Sequence, residues 1–168
     1  DQGKVLTSRD SIKLELKDNE SKRRIVINGE FDDVRMPNSI SLYIEKAEVA
    51  TPTLTQVFTS RGSDFKSALS NARSIEYSFK QVHSLLQFNN TISLDNNQLW
   101  RAPEVKLTLQ LPLNSRLIVD PQMHHFLQNF NLWDCIPEGA NDYDVTEWVM
   151  TDQGLKCAQD SLSKQNVQ

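Results

Sequence analysis

At 168 residues the chain fits one domain, since a chain this long buries roughly two thirds of its unfolded surface. A hydrophobic share of 38% with 8% aromatics predicts an elongated or thin-layered protein rather than a deep globule. The net charge of -4 disfavours nucleic acid, whose phosphates require clustered Lys and Arg, and no run of eighteen apolar residues is present to span a bilayer.

In chain order, Ile12, Leu14 and Leu16 alternate with Lys13, Glu15 and Lys17, which predicts a strand with one dry face. Turn formers follow at Lys17 to Ser21, at Asn28 to Glu30 ("NGE") and at Met36 to Ser39 ("MPNS"). Ile40, Leu42 and Ile44 resume the alternation. Then "RGSDFKSALSNARSIEY" breaks it: Ser63 can cap a helix, Asp64 suits the positive end of its dipole, and Phe65, Ala68, Leu69, Ala72 and Ile75 recur at helical spacing. The stripe is narrow and rich in alanine, so this helix is expected to pack closely on a sheet edge or end and to close it.

Ile75, Tyr77 and Phe79 then predict one more strand, and "LDNNQ" at Leu94 to Gln98 another turn. The best patterned stretch is "WRAPEVKLTLQLPLNSRLIVD", Trp100 to Asp120. Val105, Leu107, Leu109 and Leu111 face a core, Pro112 removes an amide hydrogen, and Asn114 suits the left-handed conformation of a tight turn. Leu117 and Val119 regain the dry face, and Asp120 before Pro121 reads as an Asx turn rather than a catalytic acid. Trp100, Arg101 and Glu104 are expected to lock the strand entrance through stacking and an ion pair. After a weakly patterned segment, "EWVMTDQGLKC" predicts a last hairpin, and residues 158–168 a frayed tail behind a single β-rich domain of residues 1–157. The fold class is therefore all-β, a stack of sheets with one short helix.

Catalytic groupings are thin. His124 and His125 are adjacent, and neighbours on a strand point apart, so they are not expected to share a metal. There is no Gly-x-Ser-x-Gly elbow, neither Cys135 nor Cys157 stands in a reactive-cysteine signature, and the five glycines form no phosphate cradle. The two cysteines are compatible with one bond or with two buried thiols. "NDYD" at Asn141 to Asp144 alternates acids as a calcium loop does but lacks the glycine and closing glutamate of that motif. Asp32 and Asp33 read as turn residues. From Leu117 to Leu155 no Lys or Arg occurs, while Asp120, Asp134, Glu138, Asp142, Asp144, Glu147 and Asp152 supply seven negative charges, either a solvated rim or a docking face for a basic partner.

The ordered stretches "SRGSDFKSALSNARSIEYSF", "WRAPEVKLTLQLPLNSRLIVD" and "WVMTDQGLKC" carry a resemblance. Together, from about Ile40 to Cys157, the chain is similar to the toastrack region that forms the C-terminal, non-cytoplasmic part of Bacteroidota membrane proteins beginning with a phage-shock-protein-C (PspC) domain. Asn114 stands where the family usually has glycine, which preserves the turn, and Ala158 and Gln159 follow Cys157 where relatives often carry a further cysteine. The resemblance implies a stacked, solenoid-like or adhesin-like β architecture, held on the periplasmic side of the cytoplasmic membrane by a tether. It implies no enzyme activity and no cofactor, but a sensor or interaction domain linked to envelope stress, with a protein partner or self-association. The alternative is a surface or secreted adhesin-like module, favoured by exposed tryptophans beside polar residues because sugars stack on such rings. Arg61, Gly62, Trp100, Arg101, Glu104, Trp133 and Trp148 are the structural or partner-contact candidates, with Trp100 and Trp148 expected to close the core at strand edges.

Overall fold

The computed structural model describes residues 6–15, 24–30, 39–95, 99–136 and 144–158. Its strands are β1 (Leu6–Glu15), β2 (Arg24–Glu30), β3 (Ile40–Lys46), β4 (Thr53–Gly62), β5 (Ile75–Glu76), β6 (Phe79–Val82), β7 (Leu85–Asn89), β8 (Ser93–Leu94), β9 (Glu104–Leu111), β10 (Arg116–Val119), β11 (Thr146–Thr151) and β12 (Gly154–Cys157). One α-helix, α1 (Phe65–Arg73), follows β4, and two 3-10 turns, η1 (Pro121–His125) and η2 (Leu132–Cys135), follow β10.

The strands form a four-stranded sheet in the order β1-β4-β9-β3, a six-stranded sheet in the order β12-β11-β10-β2-β7-β6, and a small β5-β8 ribbon. The fold is mainly β with several sheets, as expected, and neither large sheet closes into a barrel. Both are mixed. β4 runs antiparallel to β1 and β9 while β3 runs parallel to β9, and β2 lies parallel to both β10 and β7. Inward residues of both sheets, among them Leu42, Leu54, Leu107 and Leu109 of the first and Ile27, Leu86, Leu117 and Met150 of the second, belong to one buried cluster. The sheets therefore share a core, and the lean apolar content is concentrated between two thin layers.

β9 alternates as its sequence predicts, with Val105, Leu107, Leu109 and Leu111 buried. At Pro112 the chain leaves the first sheet and enters the second. Asn114 takes φ 65°, Ser115 N–H donates to the Pro112 carbonyl at 3.1 Å, and the turn is pinned to β11 by Asn114 N–H on the Met150 carbonyl and Met150 N–H on the Ser115 carbonyl, each 2.9 Å. A proline ends one ladder where it has no hydrogen to give, and an asparagine tolerates the left-handed turn that starts the next. The predicted last hairpin is β11-β12, with Gly154 at φ 97°.

Three expectations are corrected. Asn28 to Glu30 lies inside β2, not in a turn, because parallel pairing with β7 carries the strand through Glu30. The run Ile75, Tyr77, Phe79 is two strands in different sheets: Tyr77 donates its hydroxyl to the Asn89 carbonyl at 2.7 Å and Asn89 donates its amide to Ser78 Oγ at 2.7 Å, which fixes the break. The helix cap is Asp64 rather than Ser63, its carboxylate accepting Ser67 N–H at 2.8 Å, and Phe65 is 62% exposed while Ala68 and Ala72 are buried. The turns at 17–21 and 36–38, the acids Asp32 and Asp33, and the tail beyond Ala158 lie outside the described residues.

Helix α1 packs on β4 and β1, as close as its alanines permit. A Cβ at Gly62 would meet the Ala68 backbone nitrogen well inside contact distance, so only glycine fits beneath the helix. The opposite edge, β3, is closed by residues 126–129. Leu42 N–H donates to the Phe126 carbonyl at 2.7 Å, Gln128 N–H to the Leu42 carbonyl at 3.1 Å, and the Asn129 side-chain amide both accepts from Ile44 N–H (3.1 Å) and donates to the Ile44 carbonyl (2.7 Å). One asparagine thus copies a strand partner and removes the free donor and acceptor that an open edge presents.

Candidate functional site

Two places gather the residues singled out by sequence. The first is the end of β4, where Arg61 N–H and Ser60 Oγ both donate to the Arg101 carbonyl, each at 3.1 Å, and Asn71 donates its amide to the Arg61 carbonyl at 2.8 Å. Arg61, Trp100, Arg101 and Glu104 are exposed there, whereas Gly62 is buried under α1. Among the described residues no ion pair joins Arg101 to Glu104; the backbone carbonyl of Arg101 holds the corner instead. Trp100 is 49% exposed and does not close the core, because Ala102, at φ 49° before buried Pro103, turns the chain so that proline rather than tryptophan enters it.

The second is the strap between β10 and β11, residues 120–136. It begins where Asp120 accepts Gln122 N–H at 2.9 Å, the Asx turn expected from the sequence, and Asp120 N–H donates to the Ile27 carbonyl at 3.0 Å. It crosses the β3 edge and ends in η2, capped by Asn131, whose side chain accepts Trp133 N–H at 3.1 Å. Met123, Phe126, Leu132 and Cys135 point into the core. A disulfide joins Cys135 to Cys157 of β12 across a sequence separation of 22, both residues being buried, which settles the pairing that spacing left open. Phe130 meets the Trp148 ring edge-on at 4.9 Å. Trp148 is itself a core residue, 4% exposed, with its indole N–H on Thr146 Oγ1 at 2.8 Å, the partner a buried tryptophan needs.

The outer face of the strap carries rings. His124 and His125 do not diverge as strand neighbours would: they stand on the tight turn η1, and their rings lie 3.6 Å apart between centroids. The His124 ring lies 5.7 Å from that of Trp133, which is 45% exposed. His124 Nδ1 lies 2.8 Å from the Pro121 carbonyl, and since a carbonyl only accepts, Nδ1 carries the hydrogen. Sequence reasoning found Trp133 but missed that the histidines join it, because a 3-10 turn leaves no periodic signal over five residues.

Charge around the strap is partly neutralised. Glu147 pairs with Arg116 at 3.0 Å and Asp152 with Lys46 at 3.2 Å, so two of the seven acids already hold cations from outside the stretch. Glu138 and Asp142, with most of the Asn141 to Asp144 run, lie outside the described residues. Among the described residues no three His, Cys, Asp or Glu side chains gather as metal ligands would. Among the described residues two titrating groups are shifted, both structurally: the backbone hydrogen bond from Ser67 holds the Asp64 carboxyl below the ordinary range, and burial pushes the Tyr77 hydroxyl up.

The family model described as the ToastRack found in some PspC matches residues 26–163. No curated protein matches the chain. Among solved structures, an adhesin candidate from Parabacteroides merdae ATCC 43184 is 13% identical over 67% of this chain, with a TM-score of 0.23, too low to carry an argument. The chain spans 34% of that protein's length.

Proposed function

From the chain's membership of the ToastRack family found in some PspC proteins, we propose that it is the non-catalytic interaction domain of a membrane-tethered protein, working on the periplasmic side. The observation that carries the compartment is the buried Cys135–Cys157 disulfide. A structural disulfide forms and persists in oxidising surroundings and is rare where cytosolic thiol systems keep cysteines reduced. No helix among the described residues is long and apolar enough to cross a membrane, so in this reading the tether lies elsewhere in the parent protein.

The mechanism follows from rigidity. Both large sheets share one core, the β3 edge is satisfied by residues 126–129, and the strap is held by two caps and a disulfide, so the domain offers fixed surfaces rather than moving catalytic parts. A partner or a second copy docking on such a surface changes how the tether is held, and that state is passed through the membrane to a cytoplasmic PspC module as an envelope-stress signal. Protease added to spheroplasts of cells expressing the full-length protein tests the topology: the domain is digested while a cytoplasmic marker survives. Protection of the domain until the membrane is permeabilised overturns the proposal.

A further inference from the structure

The strap pins three rings outward at one place, and we propose that Trp133, His124 and His125 form a binding platform for a neutral or amino saccharide. The inference rests on the reading of the chain as an interaction domain and names the class of ligand. Trp133 is 45% exposed, although a tryptophan of a fold this short of aromatics would gain most by burial. Its position is built rather than accidental: Asn131 caps η2 through Trp133 N–H, Cys135 two residues on is bonded to Cys157, and His124 is oriented by its bond to the Pro121 carbonyl. Preorganised rings of this kind lose little freedom on binding.

The surroundings decide between ligands. A protein hot spot wants apolar neighbours that exclude water around the central aromatic ring. Among the described residues Trp133 is the strap's one exposed large hydrophobic side chain; Asp134 beside it and Asn131 two residues before it are exposed, and the imidazole of His124 lies 5.7 Å away between ring centroids. A pyranose needs one aromatic face for its C–H groups and polar groups at the rim for its hydroxyls, which is what this place offers. Charge narrows the class further. No Lys or Arg occurs between Leu117 and Leu155, Arg116 and Lys46 are engaged by Glu147 and Asp152, and Asp134, exposed, follows Trp133 in the chain. Uronates and sulfated sugars would meet the strap's acids with no Lys or Arg of the strap to balance them, whereas uncharged and amino sugars would not.

The test is a glycan array carrying cellotetraose, mannotetraose, chitotetraose, the deacetylated chitosan tetramer and tetragalacturonate, probed with the 168-residue chain and with W133A, W133F and H124A. Binding to neutral or amino members is expected, weakened about tenfold or more in W133A, weakened in H124A and partly retained in W133F. Thermal melting of W133A and W133F close to that of the parent excludes misfolding as the cause. No binding to any member, binding that W133A leaves intact, or preference for tetragalacturonate overturns the proposal. An array failure leaves the topology result standing, so the two readings fail separately.

Discussion

Replacing both cysteines, C135A together with C157A, is expected to lower stability by an amount that follows from the separation of 22 residues. The loop-entropy relation for a loop of that size gives about 3.4 kcal/mol at 25 °C, because the oxidised unfolded chain has fewer conformations to regain. Alanine leaves no polar group in the core, so the loss measures the cross-link with a small packing contribution; Cys135 and Cys157 are both buried among apolar neighbours. For a domain of this length each kcal/mol moves Tm by about 2–4 °C, so the double variant is expected to melt about 7–14 °C lower. Circular dichroism melts of the oxidised chain, the chain with reductant and the double variant provide the assay. The reduced chain and the double variant are expected to fall together. A drop below about 3 °C in both would show that the strap is held by the β3 edge and the Trp148 contact alone, and would refute the cross-link's role.

G62A is expected to cost about 1–3 kcal/mol in urea unfolding, since the added methyl collides with the Ala68 backbone and must push α1 away from β4. N129A removes both bonds to Ile44 and should cost about 1–3 kcal/mol, with a rise in self-association by light scattering as the β3 edge opens; unchanged stability and mass would contradict the edge-closing role. D64A is expected to destabilise the chain at neutral pH. Because the folded Asp64 carboxyl is held below its unfolded value, its contribution is present above the ordinary carboxylate range and lost as pH falls through the depressed folded pKa, so the gap between variant and parent should close in acid. A gap that stays constant from neutral pH to strong acid would show that the charge of Asp64 plays no part.

Strands β1, β3, β9 and β10, the β11-β12 hairpin, the turn at Pro112 to Ser115 and the Asp120 cap were legible because they rest on local rules: alternation in β9, a missing amide hydrogen, an asparagine in a left-handed turn, a side-chain oxygen above a 3-10 turn. Pairing was not legible. β3 beside β9 and β2 between β10 and β7 join residues far apart in sequence, and parallel neighbours leave no hairpin signal. The site was legible in part. Trp133 and Trp148 look alike in sequence, yet Trp148 finds Thr146 Oγ1 and the core while Trp133 faces water, a difference fixed by tertiary contacts. Trp100 went the other way from its expectation because the chain turns at Ala102 and Pro103 before β9 begins. The histidine pair was read with strand geometry and took a turn's instead.

The most direct test of the central claim is the thiol state of Cys135 and Cys157 in the full-length protein inside growing cells. Cells are quenched in acid, denatured and treated with a maleimide polymer that adds mass to each free thiol, with and without prior reduction. Compared with the same protein carrying C135A and C157A, an extracytoplasmic domain is expected to gain no further mass until it is reduced and then to gain two further labels. Two labels without reduction would mean that the cysteines live in a reducing compartment, and would contradict the placement on which the interaction-domain account depends.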